Sequence, residues 1–138
     1  MRLAQLVDAV AQVRRTTKKS EKIRLLADTL LLARAREIEL AAFYLSGSLP
    51  QGKIGVGWSL IQQTVAVGES TEDPLTLQDV DDAISRLAGE QGAGSTERRA
   101  AELGRLFNRA TADERRFLSQ LLLGELRRGA LEIGRAHV

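Results

Sequence analysis

Apolar residues return every three or four positions along almost the whole of this chain, and no stretch keeps the two-residue rhythm of a half-buried strand. A chain patterned this way can bury its apolar surface only by packing helices against one another, so the sequence predicts an all-α array. Leu3, Leu6, Val7, Val10 and Val13 mark a first helix, with Asp8, Gln12 and Arg15 elsewhere on its circumference. Thr17 is placed to cap a second, whose stripe is Ile23, Leu26, Leu30 and Leu31. A third, about Arg36 to Leu45, presents Ile38, Ala41, Ala42 and Leu45. Thr76 to Asp79 has the form of a capping box ahead of Val80, Ile84, Leu87 and Ala88, and Gly89 closes that helix. Leu103, Leu106, Phe107 and Ala110 mark the next. Thr111 to Glu114 then repeats the capping box before Phe117, Leu118, Leu121 and Leu122, with a stop near Gly124. About seven helices of roughly 8 to 17 residues account for the chain, with no internal repeat.

Two glycine-rich interruptions stand out against this background. Residues 46–57, SGSLPQGKIGVG, hold four glycines and Pro50, too many for a helix interior, and predict a structured loop leading to a helix near Trp58. Such a loop serves either close approach of backbone to a ligand or a tight connection. Gly52, Gly55 and Gly57 around Lys53 match neither the phosphate loop nor the dinucleotide fingerprint, since no strand leads in and the lysine precedes the last glycines. The second interruption, Gly92 to Thr96, runs straight into a helix with Arg98 and Arg99 in its first turn. It reads equally as an anion site, with glycine backbone, a Ser95 or Thr96 hydroxyl and open helix amides, or as a plain loop and N-cap.

The residue inventory removes whole classes of chemistry. The chain contains no cysteine, which excludes disulfides, thiolate zinc sites and cysteine nucleophiles, and its one histidine, His137, leaves little for a triad or a histidine metal site. Asp79, Asp81 and Asp82 complement the positive pole of their helix better than they form a metal or acid pair. At 138 residues the chain suits a single domain with its own core. No apolar run of membrane-spanning length and no cleavable leader is visible, so a soluble, cytoplasmic protein without membrane partners is expected.

Charge is segregated. Residues 1–36 carry nine Lys/Arg against three Asp/Glu, and residues 91–138 carry nine Arg against six acids. Residues 69–90 hold seven carboxylates against Arg86 alone. Two basic ends flanking an acidic middle would suit a polyanion if they converge, and would otherwise be a solvated surface. Lys18, Lys19, Lys22 and Arg24 crowd the positive pole of the second helix, an arrangement that an external anion would relieve. Arg127 and Arg128, ahead of Gly129, either face such a ligand or offset a helix's negative pole.

Three stretches, YLSGSLPQGKIGVGW (residues 44–58), GAGSTERRAAELGRLFNRATADERRFL (92–118) and LLLGELRRGALE (121–132), resemble the N-terminal DNA-binding domain of ATP-dependent DNA ligases, especially the bacterial accessory type. The resemblance implies an all-helical module over residues 1–132 that grips the minor groove of nicked duplex DNA without reading its sequence. The implied DNA-binding residues are Gly94, Ser95 and Thr96 with Arg98 at one helix start; Arg127, Arg128 and Gly129; Gly52, Lys53 and Gly55 in the loop; and Thr17 with Lys18 at a basic helix start. Amides and arginines that grip phosphate position a duplex without specifying it, which is what a nick in any sequence requires.

The chain departs from a whole ligase in two ways. None of Lys18, Lys19, Lys22 or Lys53 stands in a Lys-x-Asp-Gly setting, so no catalytic residue is assigned and no ligation is expected from this chain alone. ATP and magnesium would belong to a parent enzyme whose adenylyltransferase and OB-fold domains are the implied partners. Residues 133–138, IGRAHV, look foreign to the family pattern and suggest a fragment, in which Leu118 and Leu122 would lose part of their cover. The rival reading is a helical protein-interaction module whose basic ends bind an acidic partner.

Overall fold

A computed structural model describes residues 1–34, 36–64 and 74–127. Among these there are seven α-helices: α1 (Leu3–Arg15), α2 (Lys19–Leu30), α3 (Arg36–Leu45), α4 (Trp58–Gln63), α5 (Leu77–Gly89), α6 (Ser95–Asn108) and α7 (Ala112–Leu123). A short 3-10 turn, Glu125–Arg127, follows. No helix among the described residues is long and apolar enough to cross a membrane. The only extended pairing among them is an isolated antiparallel bridge between Arg2 and Thr76, in which Leu3 N donates to the Leu75 carbonyl at 2.9 Å and Leu77 N to that of Met1 at 3.0 Å. The bridge fastens the start of α1 to the start of α5, and the Met1 ammonium reaches across to the Glu37 carboxylate.

The predicted capping boxes form as written. Thr76 Oγ1 accepts from Asp79 N at 3.1 Å while Asp79 Oδ2 accepts from Thr76 N at 3.0 Å, and Thr111 and Glu114 make the same exchange. Each box satisfies two amides that a helix start would otherwise leave open. Leu3, Leu6 and Val10 of α1, Leu40 and Tyr44 of α3, Val80, Ile84 and Leu87 of α5, Leu103 and Phe107 of α6, and Phe117, Leu118 and Leu121 of α7 meet in one core. A side chain of this kind, fully buried, contributes about 1.5–3 kcal/mol.

Several expectations need correction. Lys18, not Thr17, precedes α2, and no side chain caps it. The turn is instead organised by Thr16, whose hydroxyl accepts from Lys18 N and donates to Glu21. Of the stripe assigned to α2, Leu26 and Leu30 pack on the core, but Ile23 is 48% and Leu31 81% exposed. The helix lies at the edge of the array against α1 and α3, so little of its circumference finds a partner. On α3 the buried face is Leu40, Ala41, Tyr44 and Leu45, with Ile38 and Ala42 outside, because the larger Tyr44 takes the inward position. Helix α4 is only six residues long, shorter than the range expected. Leu118 and Leu122 are buried, so the uncovered apolar patch expected there is absent, and Leu126 of the 3-10 turn joins them in the core. Residues 133–138 and the polar connector at 65–73 lie outside the described residues.

Candidate nucleic-acid interface

The glycine loop between α3 and α4 is held from both sides. Gln51 Nε2 donates to Asp81 Oδ1 at 2.8 Å and to Ser85 Oγ at 2.9 Å, tying the loop to α5. Arg99 Nη2, from the first turns of α6, donates to the Ile54 carbonyl. Between these ties Gly52 and Lys53 are exposed, and Gly52 (φ 74°) and Gly55 (φ 71°) occupy left-handed backbone that other residues adopt only with strain. Asp81 is not the solvated helix-pole acid expected. It is buried, and accepts from Arg36 at 3.4 Å as well as from Gln51. Next to it the Tyr44 phenol is pushed up from its ordinary value, by burial first and by the Asp81 charge second.

The start of α6 is a second glycine-shaped element. Gly94, with φ 76°, is the N-cap, so neither Ser95 nor Thr96 caps the helix and both belong to its first turn. Arg98 folds back over the preceding turn, donating through Nε to Glu90 at 2.6 Å, through Nη1 to the Ala93 carbonyl at 2.9 Å and through Nη2 to that of Gln91 at 3.1 Å. Its guanidinium therefore holds the turn in shape, a task its sequence position did not reveal. The Ser95 amide is bonded to Gly92 O and the Arg98 amide to Gly94 O, which leaves those of Thr96 and Glu97 for an incoming anion.

The third element is the end of α7. Gly124 closes the helix in the left-handed conformation (φ 77°) and lines, with Leu121 and Leu122, a cleft of about 240 Å³ whose other wall is the loop around Gly52, Lys53 and Gly55. Arg127 lies in the 3-10 turn immediately after. Arg128 and Gly129 lie outside the described residues. Loop, Gly94 turn and Gly124 corner are thus joined: the first two through Arg99, the first and third through the cleft.

Thr17 and Lys18 sit elsewhere. They belong to a corner where α1 ends and α2 begins, with Arg14, Arg15 and Lys19, all exposed. Arg14 and Arg15 share a cleft of about 490 Å³ with Arg116 of α7, and Arg14 donates to Gln120 at 3.4 Å. Asp8 and Asp113 line the same cleft. Arg14, Arg15, Lys18, Lys19 and Arg116 form no ion pair among the described residues, whereas Arg24, Arg36, Arg86, Arg98, Arg105 and Arg109 each meet a carboxylate. The cleft at this corner runs along α7 from Thr111 to Gln120, whereas the glycine loop faces its last turn, from Leu121 to Gly124.

Sequence reasoning did not place Gln51, Arg116 or Asp81 in the site, and it put Arg99 at the start of a candidate anion site without its bond to the glycine loop. Arg116 carried a usable signal, since it follows a capping box on a helix packed against α1. The partners of Gln51 and Arg99 carried none, because they are distant in the chain.

The supporting layer behind the glycine loop is an ion-pair cluster between α5 and α6. Glu102 is buried and accepts from Arg105 at 2.9 Å and Arg86 at 2.8 Å. The Arg105 bond first, and Arg86 with it, outweigh burial and hold the Glu102 carboxyl below its ordinary value. At Asp79 burial alone would raise the carboxyl, but the Thr76 amide and hydroxyl together with Arg109 bring it below. Among the described residues no three of His, Asp and Glu gather as a metal site would require.

Comparison with known proteins agrees with this architecture. The family model described as DNA ligase N terminus matches residues 56–132. Proteins named "Probable DNA ligase" from Anaeromyxobacter sp. (strain Fw109-5) and Streptomyces griseus are each 44% identical over 133 residues, and one from Rhodococcus jostii is 39% identical over 132. These alignments cover 96% of this chain but 25–26% of each relative, so the chain spans about a quarter of their length. With more than half of its residues matched by that model, and by helices whose caps, core and glycine turns are now described, the chain belongs to the DNA ligase N-terminus family.

Proposed function

We propose that this chain is the duplex-binding module of a DNA ligase: it holds nicked double-stranded DNA by sugar and phosphate and presents it to a catalytic core that lies in the rest of the enzyme. In this reading the module makes no bond. ATP and magnesium act on the adenylyltransferase and OB-fold portion, and the task falls to replication, repair or recombination in the cytoplasm.

The observation that carries the proposal is the sorting of cations. Arg86, Arg98, Arg105 and Arg109 in the scaffold each meet a carboxylate, whereas Arg14, Arg15, Lys18, Lys19 and Arg116 at one corner form no ion pair among the described residues and Lys53 stands exposed at the apex of a glycine loop. Cations already paired with carboxylates have little charge left to offer a phosphate; cations without such a partner, gathered on a surface, supply the counterion-release energy of polyanion binding. The glycine turns add backbone that can approach phosphate closely, and contacts of that kind position a duplex without selecting its sequence.

The test is a mobility shift and anisotropy titration with nicked, intact and single-stranded DNA. About five phosphate contacts give a slope of log K against log salt near −4.5, with nicked duplex bound at least as well as intact and with little preference among sequences. No measurable duplex binding at about 50 mM salt would falsify the proposal, and would favour the interaction-module reading instead.

A further inference from the structure

Trp58 is the chain's one tryptophan, and 59% of it is exposed. A large indole that finds neither core nor polar partner is uncommon on a folded surface. Its setting narrows what it serves. It follows the loop that carries Lys53, and Gly57 just before it has φ −105°, a conformation open to any residue, with nothing within 4 Å of where a Cβ would stand. Neither backbone strain nor packing among the described residues asks for glycine there. Ser59, Gln62 and Gln63 on the same short helix are exposed and uncharged, and no carboxylate occurs between Glu39 and Glu69. The helix packs against α6, whose start is the Gly94 turn.

An exposed aromatic with glutamine neighbours, on a helix that carries no carboxylate and follows the loop that carries Lys53, fits a duplex groove. There the backbone phosphates repel carboxylates, while the sugar and base edges offer apolar and hydrogen-bonding contact. We infer that Trp58 is a groove contact, its indole lying against deoxyribose and base edges of the duplex while Gln62 hydrogen-bonds beside it. This rests on the duplex-binding reading and extends it to a residue outside the phosphate contacts.

The test uses the whole chain, whose emission reports on Trp58 alone. A nicked duplex should shield the indole from acrylamide over the same concentration range that saturates the DNA anisotropy. Trp58→Ala should weaken duplex binding about tenfold with helicity unchanged, and Trp58→Phe should recover most of it. If the wild type binds duplex while Trp58 stays fully quenchable and Trp58→Ala binds equally, the groove contact is wrong and the phosphate-binding proposal stands. If the wild type binds no duplex, the parent proposal falls and takes the contact with it. Shielding that grows with protein concentration in the absence of DNA would overturn the inference by assigning Trp58 to a contact between copies of the chain.

Discussion

The two ends of α7 face opposite kinds of surface. From its start as far as Gln120 lies the α1–α2 corner, rich in cations that form no ion pair among the described residues and tied to α7 by Arg14 to Gln120. At its last turn lies the glycine loop, poor in charge but anchored through Gln51 to α5 and through Ile54 to α6. The cationic corner attracts at a distance and tolerates movement, because a lysine finds a phosphate along many paths. The glycine loop works at contact and requires its backbone to be in place beforehand, which explains why arginines there bond to carbonyls of the protein itself. In the proposed function the corner sets how strongly DNA is held, and the loop sets how it sits.

The largest expected effect breaks the first half of that contrast. Replacing Arg14, Arg15, Lys18 and Lys19 together by alanine should lower duplex affinity about a hundredfold at low salt and flatten the salt slope by about 3.6, read by anisotropy at several salt concentrations. Arg99→Ala addresses the second half: affinity should fall about tenfold with the slope retained, because the side chain holds the Ile54 carbonyl and not a phosphate. A flattened slope in that variant would move Arg99 to the phosphate-binding set. Gly94→Ala should cost about 1–2 kcal/mol in urea unfolding, since it forces a side chain into left-handed backbone and against Arg98, whose Nη1 would lie 2.9 Å from the new Cβ.

Glu102→Gln tests the scaffold behind the loop. The folded carboxyl is held below its unfolded value, so its stabilisation is complete above about pH 4.3 and disappears as pH falls through the folded value. Wild type and variant should differ by about 1 kcal/mol at neutral pH and converge toward pH 3, followed by thermal unfolding in a pH series. The smallest effect is expected at Thr17→Ala, within about 0.5 kcal/mol, because Thr17 caps nothing.

What could be read from the sequence was what the chain decides locally. Thr76 with Asp79 and Thr111 with Glu114 sit three residues from their partners, so the spacing alone specified both capping boxes, and the stripes of α1, α5, α6 and α7 followed from their period. The failures came where a neighbour decides. Ile23 and Leu31 have the right spacing for a buried stripe, but the edge of the array offers α2 too little to pack against. Arg98 could be read as a free cation only because the three acceptors that hold it are created by the Gly94 turn. Arg99 and Gln51 reach partners some 45 and 30 residues away, a distance no local pattern encodes. Thr17 and Lys18, grouped with the glycine loop as contacts for one ligand, lie at the α1–α2 junction and not in the cleft that the loop lines.

The run from Gln51 to Ile54 is a strut of set length, pinned at one end by a side chain and at the other by its own carbonyl. A single residue inserted between those pins would oblige one of them to release, tilting the Lys53 apex away from Gly124. Length variation among related chains should therefore gather outside this four-residue span, within which both the spacing and the Gln51 side chain are held.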